Sequence, residues 1–347
     1  MKKFLRFKLI LVVGFFVVSC SDTNHLKIGE ERPRNNEADI TDKMISMIKT
    51  ISLDRAKNGF VTRVNQGKSL ACLIGNFQVH ENLPPQLRQG LFSHAGSYQA
   101  LIRFANASKE DDRDKDFRGM SLKIFDVNGL ALWGEDNQQD FLLNSYPALF
   151  AANPSEFLSF LEASADDALW KFFVNPLNWD SVLILMKGRE KISSPFDIQY
   201  WSTTPYRFGN DPTVAVKYSV QPCSKISSEY PKNASTHYLR KNMKDHLAIE
   251  KACFNFMVQF QNDPQLMPIE DASTVWDESL SSFKKIATLT IGNQNFLSDP
   301  ALSNCEQQTF NPWQSLPEHQ PIGGINRVRR AVYSEVGKFR NQQNQYQ

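Results

Sequence analysis

Near the end of this chain an arginine precedes a tyrosine by four residues, in Asn326-Arg-Val-Arg-Arg-Ala-Val-Tyr333-Ser-Glu-Val-Gly-Lys-Phe-Arg340. Residues four apart share a helix face, so Arg329 and Tyr333 would meet, with Arg340 two turns further along the same face. A guanidinium held beside a phenol oxygen favours the phenolate, a hard anionic donor able to ligate a metal ion. Of the nine tyrosines only Tyr333 has an arginine in that position. The same spacing also occurs on ordinary salt-bridged helices, so it assigns chemistry only in company. The six histidines, His25, His80, His94, His237, His246 and His319, show no paired metal-ligand spacing, which argues against a zinc site. A net charge of +2 gives no reason to expect a nucleic-acid partner.

The elements that must position these residues are legible as patterns. Ile40, Met44, Ile48 and Ile51 recur at helical spacing, which predicts a leading helix over 38–56. Strand-like runs follow at 71–80, 98–105, 120–126, 213–221, 254–261 and 285–292, several with period-two alternation. Between them 154–165, 167–174 and 234–251 read as helices. A last helix is expected from Asn326, which suits an N-cap, to about Asn341. One α+β domain with a many-stranded sheet, closed as a barrel, fits this order. The 25 phenylalanines suit a large apolar cavity and suit a thick core equally.

Residues 1–20 read as a targeting segment. Lys2, Lys3, Arg6 and Lys8 precede an apolar run from Leu9 to Val18, shorter than the roughly twenty residues a bilayer span needs. The run ends in Val17-Val18-Ser19-Cys20, which resembles a bacterial lipobox; the resemblance implies a lipid on the Cys20 thiol and cleavage just before it. The expectation is an exported protein of the bacterial cell envelope, anchored to a membrane through Cys20. Ser21 favours the outer membrane, with the protein facing the periplasm. Polar residues 21–37 read as a flexible tether, leaving 38–347 as the folded domain. Export leaves Cys72, Cys223, Cys253 and Cys305 in an oxidising compartment, where disulfides can form. Cys72 and Cys253 lie in or beside apolar runs, however, where a buried free thiol is the commoner outcome, so the pairing stays open.

Several segments, in order, resemble the haem catalase superfamily, in particular its short catalase-related bacterial members. They are 92–104, ending Arg103-Phe104; 114–125 (DKDFRGMSLKIF); 140–150, with Asn144, Pro147 and Phe150; and 311–340, from Asn311-Pro312-Trp313 through Pro-Glu-His and Gly-Gly-Ile-Asn. The resemblance spans roughly 60–340 and implies a catalase-like antiparallel β-barrel with flanking helices and a b-type haem. It implies that Tyr333 binds the iron and that Arg329 stabilises its phenolate. Arg103, Arg340 and Arg63 would pair with the haem propionates, and Asn144 would hydrogen-bond peroxide on the distal side. Phe150 and Phe157 would pack beside the porphyrin or simply in the core.

The pattern breaks at the distal base. The family's Arg-x-x-His-x-Lys reads Arg63-Val-Asn-Gln66-Gly-Lys68 here, and Ala105 stands where a serine orients that histidine. Both halves of one hydrogen-bonded pair are replaced together, and an amide does not titrate as imidazole does. His80 lies beyond the first strand and reads as a strand-end residue rather than a substitute base. The expected activity is that of a catalase-related peroxidase acting on hydrogen peroxide or organic hydroperoxides, with Asn144 and Gln66 as the distal candidates and efficient dismutation in doubt. A non-catalytic haem-binding lipoprotein is the alternative.

Overall fold

The computed structural model describes residues 26–166 and 168–345, so Cys20 and the segment 1–20 lie outside the described residues. Helix α1 (Glu37–Asp54) buries Ile40, Met44 and Ile51, three of the four positions whose spacing predicts it. Strands β1 (Lys68–Val79), β2 (Gly96–Asn106), β3 (Arg118–Phe125) and β4 (Gln138–Asn144) then form an antiparallel meander. Helices α2 (Pro154–Ala165), α3 (Leu169–Val174) and α4 (Trp179–Lys187) follow. After them come β5 (Tyr200–Trp201), β6 (Tyr206–Arg207), β7 (Ala215–Pro222), α5 (Tyr238–Ile249), β8 (Ala252–Phe260) and β9 (Lys284–Ile291). Helices α6 (Asp299–Gln307) and α7 (Gly324–Gln343) complete the order.

The sheet runs β5-β4-β3-β2-β1-β9-β8-β7-β6, and β5 also pairs with β7. That second pairing closes eight strands into an antiparallel barrel, with the two-residue β6 attached to β7. Closure removes exposed sheet edges and dedicates alternate residues to the inside. Phe77, Phe92, Phe104, Phe141, Phe254 and Phe256 fill the interior with Tyr200 and Tyr218, all at most 1% exposed. Ring centroids as close as 4.8 Å, for Phe141 and Phe256, show that these aromatics make a packed core rather than a cavity. A second apolar cluster lies outside the barrel, where α1, α2 and α7 meet through Ile40, Met44, Leu158, Leu161, Val328 and Val332.

Several expectations need correction. Strand β4 and helices α4 and α6 have no counterpart in the sequence reading. In β4 a buried Asp140 interrupts the apolar alternation, which hides the strand. Asn326 is not an N-cap, because α7 starts two residues earlier, after Gly323 at φ +87°, and Asn326 is buried inside the helix. From residue 26 onward the expected tether is laid on the barrel: Gly29 N–H donates to Gln261, and Arg32 N–H to Glu270, both at 2.8 Å. All four described cysteines are paired, Cys72 with Cys305 and Cys223 with Cys253, so the free-thiol reading of Cys72 and Cys253 fails. Outward-facing strand positions brought these thiols to covalent partners that sequence spacing does not reveal.

His319, wholly buried among Phe92, Phe141 and Phe208, accepts the Leu91 N–H at Nε2 (3.1 Å) and meets the Tyr218 hydroxyl at Nδ1 (3.1 Å). Gly90, at φ +48°, permits this approach, since a Cβ there would lie 2.6 Å from Nε2. Burial pushes the imidazole down to about 3. Its unfolded counterpart titrates near 6.5, so its contribution to stability is intact above that pH and lost as pH falls from 6.5 toward 3. Within that window wild-type stability should fall more steeply than that of His319→Gln, by up to about 1.4 kcal/mol per pH unit. Denaturant melts at several pH values would show it, and parallel slopes for the two proteins would refute it.

Candidate functional site

Strand register assembles one row of residues across the barrel wall. Ser69 on β1 faces Ala105 on β2, Ala105 faces Gly119 on β3, Gly119 faces Asn144 on β4, and Asn144 faces Trp201 on β5. Their neighbours Phe104, Met120 and Leu143 belong to the interior core, so period-two alternation turns the row to the outside. Gln66 precedes β1 in a left-handed conformation, φ 56°. Its N–H donates to Ala107 O (2.9 Å) and its carbonyl accepts from Arg103 (2.9 Å), which holds that unfavourable backbone. The Gln66 side-chain amide lies directly over Gly119, where a Cβ would sit 2.1 Å from its carbonyl carbon. Gln66, Ala105 and Asn144 therefore surround one glycine, although 78 positions separate the first from the last.

Helix α7 carries the second half. Arg329 donates to Tyr333 Oη at 3.1 Å, with the guanidinium carbon 4.9 Å from the ring centroid. Arg329 also donates to Asn326 Oδ1 (3.1 Å), which accepts from the Thr204 hydroxyl at the same distance. The Asn326 amide in turn donates to Pro205 and Ile322 carbonyls. This chain of bonds fixes Arg329 beside the tyrosine and ties α7 to the turn just after Trp201. Asn326, Arg329 and Tyr333 fall three and four residues apart, a spacing that could have revealed the role of Asn326.

The segment before α7 is pinned to β4. Buried Asp140 accepts from Lys123 Nζ (2.8 Å) and from Asn311 N–H (2.9 Å), and burial pushes its carboxyl up to about 6 against the pull of Lys123. Trp313 Nε1 donates to the Asn326 carbonyl (2.7 Å), and Ser315 donates to the His319 carbonyl (2.8 Å). These bonds give the 311–326 segment its physical purpose: they set the height and rotation of α7 over the barrel.

The three candidate carboxylate-binding arginines also converge. Arg103, 2% exposed, lies 3.6 Å from Glu306, and Arg63 forms an ion pair with the same carboxylate. Arg63 and Arg340 both donate to the Gln308 carbonyl, at 2.7 and 3.3 Å. Burial, and next the charge of Arg63, pull the Arg103 guanidinium down to about 9, while Glu306 opposes them. Glu306 has no sequence signal, because the Cys72–Cys305 bond brings it here across a separation of 233 residues. Phe157 packs with Tyr333 in the α1–α2–α7 cluster, and Phe150 lies 5.4 Å from Phe157, ring to ring. His80 is at the opposite end of β1 from Gln66, bonded to Thr288 (2.8 Å). A surface cleft of about 670 Å³ is lined by residues outside this constellation, such as Gln86, Thr213 and Lys284.

The donor set fits a haem in two respects: a tyrosine oxygen with a guanidinium beside it, and an arginine cluster two turns along the same helix. Within that cluster Arg103 Nε is buried without a hydrogen-bond partner among the described residues. One departure from this fit is that Glu306 already stands among the arginines.

No protein-family model matches this sequence, and no curated protein matches it. Solved structures do. A fungal catalase superposes over 91% of this chain with a TM-score of 0.64 and 16% identity. Catalase A from Saccharomyces cerevisiae does so over 91%, with TM-score 0.66 and 18% identity, and a bacterial catalase over 92%, with 0.62 and 15%. This chain covers 65%, 67% and 64% of those three chains respectively, about two thirds of their length. Barrel closure, helix placement and this breadth of superposition together show that the chain adopts the catalase fold.

Proposed function

We propose that this protein is a haem-dependent, catalase-related peroxidase of the bacterial cell envelope. The observation that carries the reading is the Arg329–Tyr333 hydrogen bond on a helix tied beside the Gln66–Gly119–Asn144 row, with Arg340 in the arginine cluster further along. Haem, when bound, supplies a redox-active iron at which peroxides react. Tyr333 would hold the iron through its oxygen, and Arg329 would stabilise the anionic form of that oxygen. Arg63, Arg103 and Arg340 would receive the propionates.

On the distal side, the Asn144 amide can donate a hydrogen bond to a peroxide oxygen and orient it. Gln66 can donate and accept, but it cannot take up and return a proton at working pH. Positioned acid–base groups are typically worth roughly 10²–10⁴-fold in rate, so dismutation of hydrogen peroxide should be slow. Organic hydroperoxides are the better substrate class for a protein held at a membrane. Lipidation at Cys20 and a periplasm-facing position at the outer membrane belong to this proposal, and the two disulfides support an oxidising compartment. The Gln66–Ala105 pair also favours a second reading, a haem-binding envelope lipoprotein without turnover.

Purified protein reconstituted with haemin should show a Soret band that Tyr333→Phe abolishes or shifts. An unchanged spectrum in the folded variant would remove Tyr333 as the ligand. Peroxide turnover then separates the two readings. Gln66→His with Ala105→Ser restores an imidazole and its hydroxyl partner over Gly119, and a histidine tolerates the left-handed backbone at position 66. Oxygen evolution should rise about a hundredfold or more; no gain in a haem-loaded double variant counts against the distal assignment.

A further inference from the structure

Register places Cys72 of β1 directly opposite Arg103 of β2, so both side chains leave the same outer face of the barrel. Cys72 is bonded to Cys305 of α6, and the next residue along that helix is Glu306. The disulfide thus delivers a carboxylate to the arginines: Glu306 pairs with Arg63 and lies 3.6 Å from Arg103. The carbonyl of Gln308, just beyond α6, takes further donors from Arg63 and Arg340. One helix end therefore supplies the acceptors at the place where the haem reading puts the cofactor's own carboxylates.

We propose that Glu306 is a resident carboxylate that fills this arginine cluster and that a ligand carboxylate must displace it, with the Cys72–Cys305 bond as the positioning device. The inference rests on the haem reading for the ligand's identity. It makes Glu306 a determinant of affinity for carboxylated tetrapyrroles. A guanidinium binds a carboxylate through two parallel donors, and those of Arg63 are committed to Glu306 and Gln308. Entry of a propionate then exchanges one charge-assisted contact for another instead of adding one.

The test titrates haemin, and haemin dimethyl ester with its carboxylates blocked, into the purified full chain, followed by absorbance and tryptophan fluorescence. Glu306→Gln should bind haemin about tenfold more tightly or better, the scale of one charge-assisted hydrogen bond, with affinity for the ester unchanged. Cys72→Ser with Cys305→Ser should move haemin affinity in the same direction. Equal or weaker haemin binding by folded Glu306→Gln overturns the proposal, and so does an equal gain for the ester, which would mean that only space was opened. Should Glu306→Gln not fold, Glu306→Asp, which withdraws the carboxylate by one methylene, must tighten haemin binding; failure to do so is equally decisive. Tyr333→Phe keeps the two ideas apart. A Tyr333-dependent Soret band without a Glu306 effect sinks only the Glu306 claim. A Glu306 effect with an unchanged Soret band in Tyr333→Phe sinks only the ligand assignment, and absence of haemin binding in every variant sinks both.

Discussion

Closure of the barrel through the pairing of β5 with β7 is the constraint on which the remaining organisation depends. Once eight strands close, every second side chain is sent inward, and in this chain those positions carry aliphatic side chains together with aromatic rings in mutual contact. Ring centroids 4.8 and 5.2 Å apart make this interior a packed core. Among these rings the imidazole of His319 is held neutral and bonded on both nitrogens. The candidate site lies on the outer face, where Ser69, Ala105, Gly119 and Asn144 form a row. The catalase fold here provides a wall against which helix α7 holds the candidate site.

A site between a wall and a helix needs the helix held in both height and rotation. Two sets of bonds do this for α7. Asn311, Trp313 and Ser315 fix the approaching segment through Asp140, the Asn326 carbonyl and the His319 carbonyl. Arg327, on the other side of the helix, gathers Glu31, Glu37 and Glu270, tying the N-terminal segment and α1 to α7. A multi-centre ion network of this kind holds geometry better than isolated surface pairs, because each carboxylate is positioned by more than one partner. Arg329 is thereby left to serve Tyr333.

The departures at Gln66 and Ala105 acquire a common cause in three dimensions. Both positions abut Gly119, one as a loop side chain lying over it and the other as its partner across the ladder. A hydroxyl at 105 would be useful only if the group over Gly119 needed orienting, so the expectation of a paired departure at 66 and 105 has a single geometric basis. At the other end of the site, the chain places its own carboxylate among the arginines. A neutral amide, Gln66, stands at one end, and the Glu306 carboxylate meets the arginines at the other. Between these two ends the closed barrel and helix α7 supply the common framework.

Much was legible in the sequence because it was local. The helical spacing of Ile40, Met44 and Ile51 gave α1, strand-like runs, several of them alternating, gave six of the strands, and the four-residue offset of Arg329 and Tyr333 survives as a 3.1 Å hydrogen bond. Elements that break their own pattern are not legible in this way: β4 carries Asp140 at a buried position because Lys123 sits opposite it, which no local rule reveals. By itself the sequence determined which groups exist and which share one helix face or one strand face, since those follow from the periods of 3.6 and 2 residues. Only the tertiary structure decided that Gln66 would lie over Gly119 beside Asn144, and that Cys305 would bond to Cys72 and carry Glu306 to Arg63 and Arg103. Those encounters depend on strand register and barrel closure, which join positions hundreds of residues apart through backbone hydrogen bonds that carry no mark of side-chain identity.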